Sequence, residues 1–109
     1  QHGDEIDAVY AQNDEMALGA IQALEAAGLP QQKKIWSVSG DGQKSAIEAI
    51  IAGKMDCSIE CPPYFGEVVY DTAVKVLNGE KVPTKIIITD TRIYTSANAE
   101  IWYDPNSVF

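Results

Sequence analysis

The sequence is poor in positive charge, histidine, cysteine and proline, and it has no long apolar run. Eight Lys and Arg stand against sixteen Asp and Glu, giving a formal charge of −8, and the basic residues cluster only at Lys33-Lys34. Without a basic face to neutralise phosphates, nucleic acid is not an expected partner. One histidine, His2, and two thiols, Cys57 and Cys61, are too few ligands for a zinc site, so no metal and no other cofactor is expected. If Cys57 to Cys61 form a strand, their α-carbons lie about 13 Å apart at roughly 3.3 Å per residue, outside disulfide reach. The cysteines therefore leave the redox compartment undecided. No apolar stretch approaches the length of a membrane span, so membrane insertion is not expected. The start, Gln1-His2-Gly3-Asp4, has neither an initiator Met nor signal-peptide character. It is expected to be an internal point of a longer or processed protein. No nucleophile elbow and no phosphate loop of the GxxxxGK[ST] kind is present, so the chain is not expected to be an enzyme. Internal repeats and low-complexity tracts are also lacking.

What is present is 109 residues, 46% hydrophobic and 22% charged, the make-up of one soluble globular domain. Asp7 to Gln12 reads as a short, mostly buried strand. A helix from about Asp14 to Ala27 follows, with Met16, Ala17, Ala20, Ile21 and Leu24 at helical spacing, and it stops at Gly28 with Pro30 beyond. Lys34 to Ser39 is a second strand ending in Gly40-Asp41-Gly42. The next helix carries the stripe Ala46, Ile47, Ile50 and Ile51 and ends at Gly53. Cys57 to Cys61 is the third strand. After Pro62-Pro63 a third helix is expected to bury Phe65, Val68, Val69, Thr72, Ala73, Val76 and Leu77 before Asn78-Gly79. Lys85 to Thr89 suggests a fourth strand, and Thr91 to Thr95 an extended crossing segment. Alternation of strands and helices at this spacing means βαβ units. The expected class is α/β, a three-layer sandwich with a mostly parallel sheet and helices on both faces. The tail from Ser96 to Phe109 holds Ile101, Trp102, Tyr103 and Phe109, and no surface for them is evident in the chain.

In an open parallel sheet, ligands bind at the carboxyl ends of the strands. The first strand delivers Asn13 and Asp14 there, the second delivers Asp41 between Gly40 and Gly42, and the third delivers Glu60, Cys61 and then Tyr64. Each has a plainer reading. Asn13 and Asp41 both suit helix caps, Asp14 and Glu15 suit the positive end of a helix, the glycines suit turns, and Tyr64 suits cover for a first turn. A carboxylate in a cleft, however, accepts two sugar hydroxyls, and an amide both donates and accepts. Trp36, mid-strand, reads as core rather than a stacking platform. A phosphoacceptor domain would need an acidic magnesium cluster and a basic residue at a later strand end, where Glu60-Cys61-Pro62-Pro63 has no Lys.

Ala11-Gln12-Asn13-Asp14-Glu15-Met16-Ala17-Leu18-Gly19-Ala20, Ser39-Gly40-Asp41-Gly42, Ala52-Gly53-Lys54-Met55 and Val76-Leu77-Asn78-Gly79-Glu80 resemble the C-terminal lobe of the ribose-type sugar-binding proteins of bacterial ABC importers. Ser58-Ile59-Glu60-Cys61-Pro62-Pro63 followed by Gly66 is similar to the branch that includes galactofuranose binders. The resemblance runs over roughly residues 7 to 95. It implies one lobe of the periplasmic binding protein-like I fold, with residues 1–95 as the sugar-binding lobe and 96–109 as a tail packing on an N-terminal lobe. It also implies a monosaccharide held by Asn13 and Asp41, with Gly40, Glu60, Cys61 and Tyr64 nearby. Ribose members carry an aromatic where this chain has Gly40 and a glutamine where it has Cys61. Hinge closure, docking on an ABC permease and a periplasmic or extracellular location, lipid-anchored in a Gram-positive source, follow from the same resemblance. The effector lobe of LacI-type regulators shares the fold and the first motif and stands as the alternative. An isolated lobe is expected to self-associate through the apolar residues of Thr91 to Phe109.

Overall fold

The structure is a computed structural model describing residues 5–29, 36–61, 63–86 and 92–109. Its elements in chain order are β1 (Ala8–Tyr10), α1 (Asp14–Ala26), β2 (Trp36–Asp41), α2 (Lys44–Ile51), β3 (Cys57–Glu60), α3 (Gly66–Leu77), β4 (Ile93–Thr95) and α4 (Ala99–Trp102). The strands form one sheet in the order β1-β2-β3-β4. β1 runs parallel to β2, with Ala8 beside Trp36 and Tyr10 beside Val38. β2 runs parallel to β3, with Val38 beside Cys57 and Asp41 beside Glu60. β4 joins β3 antiparallel, pairing Ser58 with Tyr94. The α/β class and mostly parallel sheet are therefore as the alternating pattern expects. The fourth strand expected over Lys85 to Thr89 lies outside the described residues from position 87 onward, as does the side chain of Trp36. The segment expected to cross in extended form instead closes the described sheet as β4.

Helix boundaries follow local chemistry. The Asn13 side chain accepts a hydrogen bond from the Met16 amide at 2.9 Å and starts α1. Gly28, at φ 67°, ends it by allowing the Leu29 amide to reach back to the Leu24 carbonyl at 3.1 Å. α1 and α2 bury their stripes on the sheet and on each other, forming a core of Ala11, Ala17, Ile21, Ala46, Ile47, Ala49, Ile50, Met55, Tyr94 and Ala99. Each fully buried isoleucine contributes about 1.5–3 kcal/mol relative to exposure.

Three expectations are corrected. The inward stripe of α1 is Asp14, Ala17 and Ile21, with Leu18 packed beside it, whereas Met16 faces solvent. Spacing alone cannot tell that a carboxylate heads the stripe in place of a methionine. None of the residues of α3 is buried, and Val69, Val76 and Leu77 are all exposed. Apolar periodicity fixes which side of a helix is greasy but not what covers it, and the described elements leave that side open. Finally, part of the tail does find a surface in this chain. Ala99 is buried, the Trp102 ring meets Tyr94 edge-on at 5.8 Å, and the Tyr103 hydroxyl donates to Glu48 at 2.7 Å.

Candidate functional site

The carboxyl ends of β1, β2 and β3 share one edge of the sheet, and short-range contacts tie them together. The Cys61 amide donates to the Asp41 carbonyl at 2.8 Å, extending the β2–β3 pairing past Glu60. Between β1 and β2, a β-carbon placed on Gly40 would lie 3.6 Å from the Gln12 carbonyl oxygen. Asn13, Gly40, Asp41 and Cys61 therefore line a continuous open rim. Asn13 uses its Oδ1 for the cap, and among the described residues no bond engages its Nδ2 donors. The cap reading and the binding reading are thus compatible.

Asp41 is half-buried and stands at φ 137°, a region that non-glycine residues rarely occupy and that costs about 1–3 kcal/mol. Gly42 follows at φ 77°. There a β-carbon would lie 2.9 Å from the Tyr94 ring and 3.2 Å from Glu60 Cα. The strain at Asp41 and the crowding at Gly42 both fall at the carboxyl end of β2.

Beneath the rim lies Asp14, expected with Asn13 at the end of the first strand and as charge in the first turn of the helix. Asp14 is fully buried. Its Oδ2 accepts the Gln43 amide at 2.7 Å and its Oδ1 accepts the Ser58 hydroxyl at 2.7 Å. Ser58, also fully buried, accepts the Gly42 amide at 3.1 Å. Asp14 precedes Ala17 and Ile21 by one and two helical turns, which puts it on the inward face.

Glu60 and Tyr64 occupy a different place. They join Gly42, Tyr94, Trp102 and Phe109 around a cavity of about 180 Å³ beneath the tail. The Glu60 carboxylate already accepts the Arg92 amide at 3.1 Å and the Tyr94 hydroxyl at 3.1 Å, with the Arg92 guanidinium 3.9 Å away. That guanidinium lies 5.4 Å from the centre of the Trp102 ring. Burial is the largest influence on the Tyr94 phenol and pushes it up, opposed by its hydrogen bond with Arg92 and reinforced by Glu60. Tyr64 is exposed, its ring edge-on to Phe109 at 6.4 Å. The six candidate residues thus divide into four along the rim and two at the neighbouring cavity.

Both cysteines are free thiols. Burial, then Asp56 and Asp14, push the Cys57 thiol up, which keeps it protonated and a poor nucleophile at neutral pH. Among the described residues no three His, Cys, Asp or Glu side chains are gathered to hold a metal ion. What the rim offers is a set of hydrogen-bonding groups of both kinds, suited to hydroxyls.

A family model described as the periplasmic binding protein domain matches residues 1–81. This chain belongs to that family. Among curated relatives of this periplasmic binding protein domain, the ribose import binding protein of Haemophilus influenzae is 43% identical over 83 residues, covering 75% of this chain and 27% of the relative. The galactofuranose-binding protein of Escherichia coli is 33% identical over 99 residues, 91% of this chain and 31% of the relative. The chain thus spans less than a third of those relatives' length. A solved structure from Mycobacterium smegmatis in complex with β-D-fucofuranose superposes with a TM-score of 0.76 at 38% identity, covering 88% of this chain and 31% of that one. Among the described residues, no helix of the domain is long and apolar enough to cross a membrane.

Proposed function

We propose that this chain is the C-terminal lobe of a solute-binding protein that takes a monosaccharide between two hinged lobes and delivers it to an ABC permease in the periplasmic or extracellular space. The work is reversible binding without covalent chemistry. Asn13 and Asp41 contact sugar hydroxyls directly, Gly40 and Cys61 line the same rim, and Tyr64 stands at the neighbouring cavity. Glu60, committed to Arg92 and Tyr94, holds the β3–β4 end of the rim in shape.

The observation that carries this reading is the placement of a capping amide and a strained aspartate on one sheet edge, in a chain whose relatives are named for ribose and galactofuranose and whose structural neighbour holds a furanose. The two curated relatives are named as binding proteins, and one of them for import, which favours transport over gene regulation. Hydrogen bonds to a charged group are worth about 1.5–3 kcal/mol each, so Asp41 dominates this lobe's share of affinity. Titration calorimetry of the two-lobed protein with ribose, galactose and fucose tests it. Asp41→Ala is expected to weaken the tightest-binding sugar by about tenfold to a hundredfold. Unchanged affinity would refute the assignment.

A further inference from the structure

We infer that Asp14 and Ser58 are positioning residues for the pair Asn13 and Asp41, a role that rests on the monosaccharide reading above. Three segments meet at this buried pair although they are far apart in sequence. Asp14 is 29 residues from Gln43 and 44 from Ser58, and it adjoins Asn13 directly. The hydrogen bonds run one way, from the Gly42 amide to the Ser58 hydroxyl and from that hydroxyl to the carboxylate. A carboxylate accepts only, so Ser58 must donate to it, and its lone pair is left for Gly42. The backbone amides fixed in this way belong to Gly42 and Gln43, the two residues that follow Asp41 out of its turn at φ 137°.

The geometry gives the pair a function beyond filling the core. Without those two anchors, the turn after β2 is free to relax toward an ordinary φ, which swings the Asp41 carboxylate away from the rim. Asp14 holds α1 to the same turn, so the separation of Asn13 from Asp41 is set by one carboxylate. Asparagine at position 14 keeps the size but supplies a single acceptor oxygen and an unwanted donor, so it cannot serve both Gln43 and Ser58.

The test uses the two-lobed protein, with ribose, galactose and fucose as probes, at a temperature well below the melting point of every variant. Ser58→Ala and Asp14→Asn are expected to weaken the tightest-binding sugar by about tenfold, and Ser58→Thr, which keeps the hydroxyl, to restore it. Hydrogen exchange at the Gly42 and Gln43 amides should quicken in both weakened variants, with the interior of α2 unchanged. If Ser58→Ala and Asp14→Asn lower the melting temperature but bind sugar as the parent does, the pair is merely structural and the inference is overturned. If Asp41→Ala binds as the parent does, the monosaccharide reading fails instead. The exchange measurement then judges the anchoring on its own, with unchanged rates at Gly42 and Gln43 overturning it.

Discussion

At Gly42 a methyl group would stand 2.9 Å from the Tyr94 ring on a backbone already at φ 77°, whereas at Gly40 the nearest atoms would be 3.6 and 3.8 Å away, in ordinary contact. The two glycines flank the same aspartate and look alike in sequence, yet only the second is required. Gly42→Ala is expected to lower stability by about 1–3 kcal/mol in denaturant unfolding. Gly40→Ala should stay within about 1 kcal/mol of the parent. Equal losses in the two variants would show that the turn is not held against Tyr94. The pair also marks how far single residues could be read. Asn13 was legible as a cap because its partner is three residues away. The crowding at Gly42 was not, because Tyr94 arrives from the other end of the chain.

Among the elements, the local ones were legible and the distant pairings were not. α1 begins at its Asn13 cap and both helices end close to the glycines expected to stop them, whereas α2 starts at Gln43 with no side-chain cap rather than at Asp41. β1 forms where expected but is exposed at Ala8 and Tyr10 rather than buried. β4 and α4 depend on contacts such as Tyr94 with Glu60 and Tyr103 with Glu48, 34 and 55 residues apart, which no periodicity encodes. The second of these gives the tail a pH signature. Its hydrogen bond to Glu48, followed by burial, raises the Tyr103 phenol above its usual 10.0. A folded-state value above the unfolded one means that the contribution is complete below about pH 10 and is lost as pH rises through the shifted range. The Tyr103 contribution is therefore expected to hold up to about pH 10 and then to fall, so Tyr103→Phe should lose less thermal stability than the parent as pH rises above about 10. An identical alkaline profile in the variant would place the tail's attachment elsewhere.

For the whole molecule, the apolar side of α3 stands exposed among the described residues. Val69 at 63%, Val76 at 55% and Leu77 at 85% exposure stand with Ile101 at 77% and Val108 at 95% in the tail. Soluble monomers rarely leave large apolar patches exposed, so the 109-residue chain on its own is expected to self-associate. Light scattering over a broad concentration range measures this. A monomer throughout would mean that α3 and the tail cover one another in solution. The charge of −8 opposes but does not prevent association, since repulsion between exposed groups is screened beyond about 10 Å at 0.1 M salt.

The order β1-β2-β3-β4 matches the order of synthesis among the described strands. Each described strand after β1 therefore pairs with the strand made just before it. Closing such near-neighbour pairs sacrifices less chain entropy than closing distant ones, and it leaves fewer bare edges along the way. The last strand is the exception in direction, arriving antiparallel and bringing the tail with it. β4, made last of the described strands, is expected to act as the clasp that closes onto the parallel sheet.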